Sequence, residues 1–121
     1  MNKALLLTIL YFLGAHLLTW FQLNGQFVWS WFKEHPLTLC LFGVPISYFY
    51  IFATKHSFDA FNQLLWPGRL VGFAVGIIAF AIFTPIFMGE GINNKALFIF
   101  HHFLHYFFIT KFITISIYYM V

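Results

Sequence analysis

From Leu70 to Met88 the chain carries no charged residue. Crossing ~30 Å of hydrocarbon at ~1.5 Å per helical residue takes about 20 residues, so this run is long enough for one membrane crossing. A Trp66-Pro-Gly-Arg69 turn opens it and Gly89-Glu-Gly-Ile-Asn-Asn-Lys95 closes it. Gly68, Gly72 and Gly76 recur every fourth residue and so fall along one line of a helix. Such a line makes a smooth groove where a second helix can approach backbone to backbone. Glycine costs about 1 kcal/mol against alanine in a helix interior, so three aligned glycines point to a packing face. The other crossings are expected to arrange themselves about it.

The chain is 62% hydrophobic and 7% charged, whereas a soluble domain carries roughly 25% charged residues. It is therefore read as an integral membrane protein, all-α, with room for one bundle in its 121 residues. The net charge of +3 comes from scattered bases without a basic run, which argues against a nucleic-acid surface. A single cysteine, Cys40, allows neither an internal disulfide nor a thiolate metal cluster.

Lys3 precedes a first apolar run, Ala4 to Phe21, which is taken as an uncleaved membrane helix rather than a signal peptide, because more apolar residues follow Gly14-Ala15-His16. The polar Gln22–Gln26 stretch is expected to end it or lead into a turn. Phe27 to Pro36 holds Trp29 and Trp31, residues that favour the headgroup layer, beside Lys33 and Glu34, and is read as an aromatic interfacial segment. A second helix is expected from about Leu37 to Thr54, kinked at Gly43-Val-Pro45 where proline removes a backbone bond. Thr54 to Gln63 is the most polar segment, with Ser57 or Asp59 placed to cap a short helix. The predicted crossings are thus residues 4–22, 37–54, 69–88 and 94–114, in a single four-helix transmembrane domain over residues 1–121. Four crossings put both termini on one side. Lys3, Lys55 and Arg69 then face Lys33 and Lys95 across the bilayer, and Lys111, if it snorkels to the terminal side, favours cytoplasmic termini.

The segment Phe58-Asp-Ala-Phe…Trp66, the helix with Gly72 and Gly76, and Phe87-Met-Gly-Glu90-Gly-Ile-Asn-Asn-Lys95 together resemble the drug/metabolite transporter superfamily. By size the chain resembles its four-helix branch, the small multidrug resistance transporters. In that superfamily a third helix rich in small residues ends in a Phe-x-Gly-Glu-like turn before the fourth. The resemblance covers roughly the C-terminal half. It implies a multi-pass protein of the bacterial inner membrane that works as a homodimer and carries a small solute. The first helix departs from the family, whose first helix bears a carboxylate that binds protons and cations in turn. Here its one titratable residue at membrane depth is His16, about 20 Å along the helix from Lys3 at ~1.5 Å per residue. The family's stripe of small residues on the fourth helix is replaced by Phe98, Phe100, Phe103 and histidines. Proton coupling is accordingly not inherited from the resemblance.

An ionisable group at bilayer depth costs several kcal/mol unless paired or hydrated, on the order of 3 by insertion measurements, so each one calls for a purpose. His16 suits a proton-sensitive gate, because imidazole titrates near neutrality, or else a neutral ring hydrogen-bonded between helices; the second reading is preferred. Trp20, Gln22, Tyr48 and Trp66 are the other candidate cavity residues. Asp59 and Arg69 are candidates for an interfacial ion pair, and Glu90 for a turn carboxylate at the positive end of the last helix. His101, His102 and His105 spell His-His-x-x-His, and 101 and 105 share one face at the spacing two metal ligands on a helix need. A haem held by His16 and His105 is the other metal option, but no flanking motif supports either, and polar packing is preferred. No nucleophile–base pair, phosphate loop or paired carboxylate occurs, so neither an enzyme nor a cofactor is expected. Two functions from different classes follow. One is a transporter-like protein moving a small organic solute or cation through a cavity between two chains. The other is a non-catalytic structural or assembly subunit of a larger membrane complex.

Overall fold

A computed structural model describes residues 2–120. Among the described residues all regular structure is helical, in the order α1 (Lys3–Val28), α2 (Ser30–Glu34), α3 (Pro36–Cys40), α4 (Gly43–Ala60), α5 (Leu65–Met88) and α6 (Asn94–Met120). Among the described residues four helices are long and apolar enough to cross a membrane: Lys3–Val28, Pro36–Ala60, Leu65–Met88 and Asn94–Met120. This is the all-α, four-crossing architecture of a multi-pass integral membrane protein. The chain divides into two compact units, one ending at Glu90 and the other beginning at Gly91.

In the first unit, the Asn2 side chain caps α1 by accepting from the Ala4 N–H at 3.1 Å. The helix does not stop at Gln22. Asn24 Nδ2 donates to the Trp20 carbonyl at 3.0 Å and Gln26 Nε2 to that of Leu23 at 3.1 Å, so the polar side chains bond back onto the helix and it continues to Val28. Trp29 then turns extended and α2 follows as the aromatic segment, with Trp31 stacked on His35 at 4.4 Å. Pro36 opens α3 at its first position, where a missing N–H costs nothing.

A kink is expected at Pro45; the helix is instead interrupted earlier, at Leu41–Phe42 between α3 and α4. Pro45 falls in the first turn of α4, where no intrahelical N–H bond is lost. Gln22 Nε2 reaches this break and donates to the Leu39 carbonyl at 3.3 Å. The second crossing also runs past Thr54, to Ala60. Ser57 is therefore an interior residue rather than a cap: its hydroxyl donates to the Thr54 carbonyl at 2.9 Å and it is buried. Asn62 (φ 51) and Gln63 (φ 64) take left-handed conformations that reverse the chain into α5, which begins at Leu65, a turn before Arg69. Gly89, at φ 67, closes α5 by donating its N–H to the Pro85 carbonyl at 3.0 Å, a conformation that favours glycine.

The directions of the three crossings follow from their contacts. Phe12 lies at Gly72, His16 at Gly76 and Trp20 at Thr84, so α1 and α5 run parallel. Tyr11 stacks on His56 while Gly14 takes the ring of Phe49, so α4 runs antiparallel to α1. The core of the unit is narrow: Phe12, Ala15, Trp20, Ile46, Ala53 and Ala79 are buried. The large apolar side chains left outside, such as Leu70, Phe73 and Phe80, are what a lipid-facing surface requires.

The glycine line is occupied, but not by a second backbone. A Cβ on Gly68 would overlap the Ser57 hydroxyl; one on Gly72 would lie 3.0 Å from the Phe12 ring, and one on Gly76 2.6 Å from Cε1 of His16. Side chains of α1 and α4 fill the notches left by the missing Cβ atoms. The stripe is thus used within the chain, and a docking partner would have to displace those side chains.

In the second unit, the Asn93 side chain caps α6 by accepting from the Ala96 N–H at 2.8 Å. The helix runs beyond residue 114 to Met120, and none of its residues is buried.

Candidate functional site

Midway along three crossings the first unit places one polar node. His16 sits near the middle of α1, Tyr50 near the middle of the Pro36–Ala60 span, and Gly72 and Gly76 near the middle of α5. The His16 Nε2 atom lies 2.9 Å from the Gly72 carbonyl, and the Tyr50 hydroxyl lies 3.2 Å from His16 Nδ1. A carbonyl oxygen can only accept, so Nε2 carries a proton and donates it. In a neutral ring Nδ1 is then the acceptor, and the Tyr50 O–H donates to it. Both ring nitrogens are satisfied without burying a charge, and three helices are joined through one side chain. The Tyr50 ring meets the imidazole edge-on, at 5.5 Å and 89°.

The glycines explain why this carbonyl is reachable. Inside a helix the Gly72 oxygen bonds to the N–H of Gly76, and its second lone pair is normally shielded by the side chain at that position. With glycine at 76 the shield is absent and the imidazole lies there instead, with Nε2 2.9 Å from where a Cβ would stand. The residue that opens the carbonyl is the same one that makes room for its donor.

The other candidates are used separately. Trp20 is buried and its Nε1–H donates to the Thr84 hydroxyl at 3.0 Å, tying α1 to α5 one turn further along. Gln22 serves the break between α3 and α4. Tyr48 is 56% exposed, packed on Phe52 with ring centroids 4.6 Å apart, and Trp66 is also exposed, in the first turn of α5. An apolar recess of about 280 Å³ lies near the end of α1, lined by Phe21, Trp29, Phe32, Leu39 and Phe42. Asp59 and Arg69 form no ion pair; the Arg69 guanidinium instead lies over the Phe73 ring, 5.8 Å from its centroid. Glu90 is exposed just after the Gly89 turn.

His101 and His105 share one face of α6, with ring centroids 6.2 Å apart, while His102 packs on Phe98 at 4.2 Å. Among the described residues no group of three His, Cys, Asp or Glu side chains is placed to hold a metal ion. A haem on His16 would have to break one of the two hydrogen bonds that its nitrogens already make. Reading the residues alone misses Tyr50, Thr84, Ser57 and Phe12. The glycine spacing marked the notches that Ser57 and Phe12 fill, though it was read as room for a second backbone, and no signal in the sequence pointed to Tyr50 or Thr84. No protein family, curated protein or solved structure matches the chain.

Proposed function

We propose that the chain is a small transporter-like protein of the bacterial plasma membrane, moving a small organic solute or cation through a cavity formed between two copies. The observation that carries this reading is the half-buried His16 imidazole at mid-depth, joined to α5 and α4. Ionisable side chains at this depth usually face a bundle interior or a water-filled cavity and mark solute or ion paths. Transporter sites lie near the bilayer midplane, with access alternating as one bundle rocks against another. Within the unit, side chains of α1 and α4 fill the notches at Gly68, Gly72 and Gly76, so a path beside His16 runs along the outer edge of the three crossings and needs a second wall. A second copy supplies it. The resemblance to the small multidrug resistance transporters, which dimerise, agrees with that requirement.

The test is uptake of a fluorescent organic cation into proteoliposomes holding the purified full chain. Uptake should depend on pH and be lost in His16→Ala. Unchanged uptake in a folded His16→Ala protein would overturn the reading.

A second reading, that of a non-catalytic assembly subunit, is favoured by a different observation. Among the described residues every buried side-chain nitrogen or oxygen of the structure already has an internal hydrogen-bond partner. A protein with no function beyond docking needs no spare polar group. Instability of the chain alone, with copurification of other membrane proteins, would select this reading over transport.

A further inference from the structure

His16 has one nitrogen left for a proton, and the Tyr50 hydroxyl stands on it. The Nε2–H bond to the Gly72 carbonyl, at 2.9 Å, fixes the tautomer and leaves Nδ1 as the basic atom of the ring. The Tyr50 O–H donates to that atom across 3.2 Å, and its ring meets the imidazole edge-on at 5.5 Å. On the α5 side the imidazole lies against Gly72 and Gly76, which carry no titratable group, and its neighbour on α1 is the Phe12 ring at 6.4 Å. Among the described residues no charged side chain bonds or pairs with His16, and Tyr50 is the titratable group that α4 turns to it. We infer that His16 takes up and releases its proton on the α4 side, through the Tyr50 hydroxyl, with water as the proton source and sink.

A hydroxyl suits this task because it donates and accepts at once. Tyr50 gives its one proton to Nδ1, and among the described residues no group donates to its oxygen, so that oxygen keeps lone pairs for water. Tyr50 and His16 are both half-buried rather than sealed. A proton passed from water to the tyrosine oxygen forms one O–H bond there. The original O–H bond breaks as its proton moves to Nδ1 and forms an N–H bond. The charge ends on the imidazole, the tyrosine is neutral as before, and the hydrogen bond now runs from Nδ1–H to the tyrosine oxygen. The contact is reversed, not lost, so α4 stays joined to α1 in both protonation states. Release follows the same path backwards. Nε2 takes no part, because its proton faces a peptide carbonyl, too weak a base to carry it on. The water that this step needs is that of a solute path beside His16, so the relay rests on the transport reading.

The experiment follows the imidazole signals of the full chain by NMR in detergent micelles, from about pH 5 to 8, with His16 assigned by its loss in His16→Ala. In the parent, His16 should be the Nε2–H tautomer, gain its proton at Nδ1, and show neutral and protonated forms in fast exchange. Tyr50→Phe keeps the ring against the imidazole and removes the hydroxyl. Exchange at His16 should then slow by about tenfold or more, a small share of the ~10²–10⁴ that a positioned proton-transfer group contributes. His35 and His56 should exchange as in the parent, with helicity unchanged by circular dichroism. A measurement on the parent needs no variant: the Tyr50 hydroxyl-bearing carbon should shift in step with His16 Nδ1 and with no other histidine. A His16 that does not titrate, a Tyr50 signal that does not follow it, or exchange in Tyr50→Phe as fast as in the parent would overturn the relay. Uptake lost in His16→Ala beside unaltered exchange in Tyr50→Phe leaves transport standing and the relay refuted. Unchanged uptake in His16→Ala refutes transport, and with it the use of the relay, even where the signals move together.

Discussion

Replacing Gly76 with alanine should destabilise the protein even though alanine is the better helix former. The new Cβ would stand 2.6 Å from Cε1 and 2.9 Å from Nε2 of His16, closer than non-bonded carbon atoms approach. The ring must move, and its hydrogen bond to the Gly72 carbonyl goes with it. Interhelical hydrogen bonds in membranes are worth about 0.6 to 1.7 kcal/mol, and overpacking a tight contact costs about 1 to 3 kcal/mol. Alanine returns about 1 kcal/mol of helix propensity, so the net loss should be about 1 to 4 kcal/mol. The assay is reversible unfolding in mixed micelles with increasing denaturing detergent. A cycle with His16→Ala isolates the clash: with the imidazole gone the extra methyl has room, so Gly76→Ala should cost much less in that background. A Gly76→Ala protein as stable as the parent would refute the packing described at the node, and so would strictly additive losses in the double variant.

Three further substitutions test two other interhelical bonds by the same unfolding assay. Tyr50→Phe removes the donor to His16 Nδ1 but keeps the ring against the imidazole, so it should cost about 0.6 to 1.7 kcal/mol and less than His16→Ala, which also loses the bond to Gly72. Trp20→Phe deletes the bond to Thr84 and also leaves a gap where the larger ring lay buried; a loss of about 1 to 3 kcal/mol is expected, and Thr84→Val, which keeps the volume, should recover less than half of it.

Much of the architecture was legible in the residues. The apolar runs gave the four crossings because the length of an uncharged stretch is set by the bilayer, not by neighbours. Their ends were less legible. Asn24 and Gln26 look like helix-ending residues, yet they bond back to their own helix. Ser57 looks like a cap, yet it sits in the interior under Gly68. In each case the same polar atom has two possible uses, and the choice rests on what packs against it. The site was legible in part. His16 stood out as a titratable residue in an apolar run, whereas Tyr50 was one aromatic residue among many on a crossing whose rotation no local pattern defines.

By itself the sequence determined that this chain spans a membrane, how often it crosses, and where side chains are missing, because hydrocarbon thickness and the helical repeat act on any chain locally. Only the tertiary structure decided what fills the gaps. Phe12, His16 and Ser57 enter the notches at Gly72, Gly76 and Gly68, and the imidazole finds both its partners on other helices. The imidazole's two bonds join residues 34 and 56 positions apart, and their register depends on how α1, α4 and α5 rotate against one another. A helix of low amphipathic bias can present any face to its neighbours, so that rotation is set when the helices pack.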